Sequence, residues 1–289
     1  MKHRLTIAVV TAALTASCGD VNAALERLSQ ARHLSADLLV QFSTASHATD
    51  RAVMADTDAT SDRYAKDAVA ARDAVHRDVA SLRPVLAELR YSDETALLDQ
   101  FEKRLADYEQ LDRQILELAV ENTNLKAQEL SFGAAQAAAD ALAQSVDALK
   151  PISPGEAWHV KAIAAAAVGA VREIQVLQAP HIAAPEDASM SGLEVRMKAA
   201  ETTARNALAA LFPLVDPPSR ARLAAATDAL NRFMEINSRI VGFSRRNSNV
   251  RSLALALNQK PGRVAPCEQS LHALDDALAH HGLPKGRWE

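Results

Sequence analysis

The sequence predicts an all-α protein, a long antiparallel four-helix bundle built from two duplicated helical hairpins. Three observations predict it. Only 9 Gly and 11 Pro occur in 289 residues, and most stand at a few corners, which leaves long uninterrupted stretches. Within those stretches apolar residues recur at helical spacing. They are mainly Ala, Leu and Val, with aromatics at only 4%, and such small, regular side chains suit close helix packing. Finally, nearly the same phrase occurs twice, "ENTNLKAQELS" from Glu121 and "RNSNVRSLALA" from Arg246, 125 residues apart.

The first element is separate from the bundle. "MKHR" is a basic start, "LTIAVVTAALTA" an apolar run of signal-peptide length, and "SCGD" closes it, so residues 1–18 read as an export signal. Leu14-Thr15-Ala16-Ser17-Cys18 is similar to a lipobox, in which the cysteine is lipidated and becomes the new N-terminus. Thr15 stands where Leu is usual. Two readings stay open: a periplasmic protein held to a bacterial membrane by lipidated Cys18, or a soluble periplasmic protein after cleavage near Val21-Asn22-Ala23. Both export the chain.

From Asn22 to Arg90 there is no Gly and Pro84 is the only Pro, which predicts one very long helix. "YSDE" starts the next, with Ser92 as N-cap and acids in the first turn, and it runs to about Leu149. "KPISPGE" is the corner. A third helical stretch begins near Glu156, is interrupted at "QAPHIAAPEDAS" by Pro180 and Pro185, resumes near Glu186 and reaches Leu214. After "VDPPSR" the fourth runs from Ser219 to Asn258, followed by a short exposed tail helix from Cys267 to His280. At 1.5 Å per residue these arms span about 80 to 100 Å each. The expected division is therefore a first hairpin over residues 22–150, a second over 155–282, and a tail of 283–289.

Heptad counting places Phe101, Tyr108, Ile115 and Asn122 at one seam position of the second arm and Leu111, Leu118 and Leu125 at the other. Adding 125 gives Ala226, Phe233, Ile240 and Asn247, with Ile236, Phe243 and Val250. Asn122 and Asn247 are thus expected at buried positions on one level of the core, as a register-fixing pair or as a polar layer contacting a ligand. Asn124 and Asn249, about 200° around the helix, are expected to face away.

Several chemistries are excluded. A formal charge of −4 argues against nucleic acid as a partner, because phosphate binding needs a concentrated basic face. No haem-attachment, phosphate-loop or nucleophile-elbow motif occurs, so no catalytic residue and no cofactor is assigned. A single Glu156-Ala157-Trp158-His159 lacks the partner motif a di-iron bundle requires. Cys267 and His272 are five apart and share no face, and no metal site is expected. Two further residues are candidates for a site. Arg104 falls at a seam position, where an arginine either pairs with an anionic ligand or lays its stem over the core with the guanidinium in water. His181 sits at the Pro180/Pro185 break, where either a pocket or a solvated loop is expected.

"RAVMADTDATSDRYAKDA" from Arg51, followed by "LDRQILELAVENTNLKAQELSFGAAQAAADAL" from Leu111, resembles the four-helix-bundle sensor module of methyl-accepting chemotaxis receptors. The clearest coverage is residues 25 to 150, and "IVGFSRRNSNVRSLALAL" from Ile240 echoes it. The resemblance implies an exported, lipid-anchored sensor-like or ligand-binding module that signals through a partner protein, with a small-molecule ligand and a homodimer among its expected associations. The transmembrane helix and cytoplasmic coiled coil of that family have no counterpart here. The competing reading is a structural or interaction lipoprotein of the cell envelope without a ligand.

Overall fold

The computed structural model describes the backbone of residues 4–281 and the side chains of residues 22–281. Cys18 and the expected tail, 283–289, lie outside the described side chains. The chain is all-α. By contacts it divides into two compact units, Met1–Val120 with Leu253–Glu289, and Glu121–Ser252. The hairpins expected at 22–150 and 155–282 divide the chain in sequence order, whereas these units do not.

Unit 1 packs α1 (Arg4–Val53), α2 (Asp58–Leu89), α3 (Ser92–Glu121) and α10 (Pro261–His280). Neighbours run antiparallel, as cross-helix pairs show: Arg72 with Asp112 at 3.2 Å and His76 with Glu109 at 2.6 Å join α2 to α3. Lys260 donates to Asp50 at 2.5 Å, and Arg32 Nε to the Leu278 carbonyl at 3.0 Å, which fastens α10 to α1. The core between them holds Leu38, Phe42, Val75, Leu82, Leu98, Phe101, Leu105, Leu271, Leu274 and Leu278, all buried. Phe42 meets Phe101 and Tyr108 edge-on at ring separations of 5.9 and 5.1 Å, an arrangement favoured by the ring quadrupoles.

Unit 2 packs α4 (Thr123–Leu130), a π-helical turn (Ser131–Ala135) and α5 (Gln136–Asp147) against α6 (Ala157–Ala183), α7 (Asp187–Leu211) and α8 (Ser219–Arg246). The first residues of α9 (Ser248–Asn258) belong to it too. Its core is built on alanine, with Ala135, Ala167, Ala204 and Ala226 around Leu142, Ile174, Leu230, Phe233 and Ile240. At one end the two interhelix connections pair through a bridge between Pro151 and Val215. There the Ile152 amide donates to the Leu214 carbonyl at 2.8 Å, and the Asp216 amide to the Lys150 carbonyl at 3.0 Å.

Four expectations need correction. The single helix over 22–90 is two antiparallel helices, because Met54–Thr57 turns the chain. Thr57 is extended (φ −140°, ψ 153°) and its hydroxyl accepts the Thr60 amide at 3.2 Å, a helix start that Asp58 reinforces. The third arm likewise folds back at Ala184–Glu186, so each expected long arm is a pair of shorter helices. Ser92 is the first residue of α3 and not its cap: the Tyr91 carbonyl takes the Thr95 amide at 3.1 Å, and Arg90 closes α2 in the left-handed region at φ 59°. The expected exposed tail helix is α10, which buries Cys267, Leu271, Leu274 and Leu278 as the fourth wall of unit 1.

Candidate functional site

The two repeated Asn motifs meet in unit 2. Asn122 ends α3 and Asn247 ends α8, and both take left-handed backbone angles, φ 49° and ψ 39° for the first, φ 52° and ψ 39° for the second. Asn tolerates this region better than other residues with a Cβ. After each break the helix restarts from the Asn carbonyl, which accepts the Lys126 amide in one copy and the Arg251 amide in the other, both at 3.0 Å. The amides that follow each break have no turn before them to bond to.

Each motif supplies those missing acceptors to the other. The Thr123 amide donates to Ser248 Oγ at 3.0 Å, and the Ser248 amide donates to Thr123 Oγ1 at 3.0 Å. One residue on, the Asn124 amide donates to Asn249 Oδ1 at 3.1 Å, and the Asn249 amide to Asn124 Oδ1 at 3.2 Å. Four N-capping bonds thus cross between α4 and α9, each the mirror of another at an offset of 125. Asn124 Nδ2 also donates to Asn247 Oδ1 at 2.8 Å, and Asn249 Nδ2 to Asn122 Oδ1 at 2.9 Å. Glu121 and Arg246, the first residues of the two phrases, pair across the same junction.

Asn122 and Asn247 are buried on one level, as expected, but each bonds the other motif's third residue. Asn124 does not face away; it is 5% exposed, and Asn249 is half-buried. The left-handed break is the reason. It resets the helical phase after Asn122 and Asn247, so heptad counting carried through it fails. One polar atom is left over: Asn122 Nδ2 is buried without a partner among the described residues, which costs about 1–3 kcal/mol.

The break between α6 and α7 joins this cluster. Asn124 Nδ2 donates to the Ile182 carbonyl at 2.7 Å and Asn247 Nδ2 to the Ala184 carbonyl at 3.0 Å. His181 is neither a loop residue nor the wall of an open pocket. It lies in the last turn of α6, fully buried, with Nδ1 2.7 Å from Ser244 Oγ and Nε2 donating to Glu194 at 2.9 Å. Ser244 in turn donates to the His181 carbonyl at 2.7 Å. The hydrogen bond and charge of Arg245 hold the Glu194 carboxyl below its ordinary value, with His181 adding to the effect against partial burial. One turn further into the core, Ser131 donates to Gln178 at 2.7 Å and Gln178 to Asn237 at 2.9 Å.

Gln178, Asn237 and Ser244 were missed as seam residues. The buried positions in the second half of α8 are Phe233, Asn237, Ile240 and Ser244; Asn237 and Ser244 each stand one residue on from Ile236 and Phe243, which are half-buried. An apolar-only count prefers the isoleucine. Arg104 belongs to unit 1, apart from this cluster. Its guanidinium is turned inward, donating to the Pro266 carbonyl at 2.7 Å and Ser270 Oγ at 2.6 Å, so it ties α3 to α10.

Unit 1 has its own buried polar group. Asp112, 1% exposed, accepts from Thr49 Oγ1 at 2.7 Å, Tyr108 Oη at 3.0 Å and Arg72 Nη1 at 3.2 Å. Burial raises its pKa, and the three donors oppose that rise. At positions 125 later stand Asn237 and Met197, whose side chains meet at 3.9 Å. Among the described residues no group of His, Cys, Asp and Glu could hold a metal ion, and no helix is long and apolar enough to cross a membrane.

No protein-family model matches the sequence, and no curated protein matches it. The structure is similar to the crystal structure of the sensor domain of the V. parahaemolyticus histidine kinase TorS. The TM-score is 0.51 at 12% identity, over 88% of this chain and 99% of that one. In fold, therefore, this all-helical chain is similar to that sensor domain.

Proposed function

We propose that the chain is an exported sensor module that passes its conformational state to a signalling partner protein. The observation that carries the reading is the fold likeness to a histidine-kinase sensor domain across nearly the whole of both chains. The chemoreceptor-like segments from Arg51 and Leu111 support the same class. The export signal at residues 1–18 supports a periplasmic location, with Cys18 as lipid anchor. Mirror-related capping at a constant offset of 125, together with the counterparts Asp112 and Asn237, supports an origin by duplication.

In this reading Asn122, Asn247 and His181 form the polar layer that registers the state. They are 0%, 5% and 0% exposed, so a small molecule reaches them only if the unit opens; burial favours a protein as the input. Arg104 holds α10 in place, and self-association in the manner of chemoreceptor sensors belongs to the same reading. The test is cross-linking of the full chain in its native envelope, followed by the phosphorylation state of any kinase captured. A captured sensor kinase whose phosphorylation changes when this chain is deleted supports the proposal. Capture of structural envelope proteins alone, with no phosphorylation change, overturns it in favour of a structural lipoprotein. Conversion of Cys18 to Ala should move the protein from the membrane to the soluble fraction.

A further inference from the structure

The geometry points to the paired Asn breaks of unit 2 as one two-state joint, in which the breaks at Asn122 and Asn247 form and straighten together. The inference does not depend on the sensor reading. It rests on four crossing bonds whose donors and acceptors alternate between the starts of α4 and α9. If Asn122 moved to right-handed helical angles, α3 and α4 would join, and the Thr123 and Asn124 amides would bond back four residues along their own helix. Thr123 Oγ1 and Asn124 Oδ1 would turn with that helix and leave the Ser248 and Asn249 amides uncapped. Those two amides find new acceptors only if Asn247 straightens as well. Neither break is therefore satisfied without the other.

A second observation is that the broken state carries local penalties. Among the described residues Asn122 Nδ2 is fully buried with no partner, and Asn122 and Asn247 are two of the three non-glycine residues with positive φ. The positive φ is relieved in a straight helix. The broken state is held by the crossing bonds and by the Asn124 and Asn247 amide groups on the Ile182 and Ala184 carbonyls. The turn between α6 and α7 is thereby made part of the joint. Any input that shifts that turn acts on both breaks at once, as a bistable element requires.

The test is the backbone Cα and carbonyl chemical shifts of Asn122 and Asn247 in the full chain, which separate left-handed from right-handed helical angles. Asn122→Ala disfavours the left-handed angle, whereas Asn122→Gly permits it and removes the same side chain. The joint predicts that Asn122→Ala moves the Asn247 shifts toward their right-handed helical values, while Asn122→Gly leaves them at the parent values. Reciprocity requires that Asn247→Ala move the Asn122 shifts in the same way. Should an Ala variant fail to fold, Ser248→Ala serves instead: it removes the acceptor of the Thr123 amide, and a single joint requires that the Asn122 and Asn247 shifts move in step. Asn247 shifts that stay left-handed in Asn122→Ala, or that move equally for Ala and Gly, overturn the proposal.

Discussion

Replacing Arg72 by Met copies into unit 1 the residue found 125 positions later, and its effect follows from the burial of Asp112. With the carboxylate 1% exposed, removal of its cation leaves an uncompensated buried charge, held only by Thr49 and Tyr108. Breaking such a pair from one side costs about 3–5 kcal/mol. The Arg72 side chain is 13% exposed, so water partly serves it, and the lower end of about 3 kcal/mol applies. Adding Asp112→Asn completes the pattern of Met197 and Asn237. An amide oxygen still accepts from Thr49 and Tyr108, no charge remains, and the double variant should return to within about 1 kcal/mol of the parent. Native-state hydrogen exchange of the Val75 and Leu105 amides reads unit 1 directly, and the single variant should exchange roughly 100-fold faster, at about 1.4 kcal/mol per tenfold. The pH dependence has a fixed sign. Because the folded pKa of Asp112 lies above the unfolded one, the group favours folding most below its unfolded pKa, and that contribution is lost as pH rises through the folded value. Without Arg72 the folded pKa rises further, so the deficit should shrink toward pH 4 and grow toward neutrality. A double variant as unstable as the single one, or a deficit flat with pH, would refute the reasoning.

Glu194 behaves in the opposite sense. Arg245 and His181 depress its folded pKa, so the stability it contributes is present above the unfolded carboxylate range and lost as pH falls through the folded value. Melting temperature measured from pH 6 to pH 3 should fall less steeply for Glu194→Gln than for the parent; equal slopes count against the linkage. Cys267 is fully buried, and burial pushes its thiol up to about 12, so it should resist a thiol reagent at pH 8 until the chain is unfolded. Rapid native labelling would contradict its place in the unit 1 core. Ile115 and Ile240 are fully buried in different units, and replacing either by Asp should cost more than about 4 kcal/mol. Loss of helicity by circular dichroism checks this, and an unchanged melt rules out their core positions.

The helices themselves were legible because composition, spacing and corner residues agree: α6 and α7 end within a few residues of the expected Pro-rich corners and α8 starts at one, although α8 ends at Arg246 and not at the expected Asn258. The turn at Met54–Thr57 was hidden because no Gly or Pro marks it, and Thr57 between two aspartates also fits a solvated helix face. Asn122 and Asn247 could be found as a pair from the repeated phrase. Their left-handed angles could not, since Asn is also a common buried register residue, and only the angle decides where Asn124 and Asn249 point. Asp112, Gln178, Asn237 and Ser244 escaped for a simpler reason: a seam counted by apolar residues passes over a polar side chain whose partners lie on other helices.

The grouping of α10 with α1, α2 and α3 governs the order in which the protein can finish folding. Unit 2 is one uninterrupted segment, Glu121–Ser252, and holds every residue of its own core once that segment has emerged. Unit 1 begins earlier but must wait for Leu271, Leu274 and Leu278 to cover Leu98, Phe101 and Leu105. The half made first is thus completed last, across contacts as distant in sequence as the 246 residues between Arg32 and Leu278. Until then its apolar seam stays open, which makes α1 to α3 the segment most in need of a chaperone during synthesis or passage across a membrane. A chain cut after Ser252 would keep a closed unit 2 beside a unit 1 that cannot close.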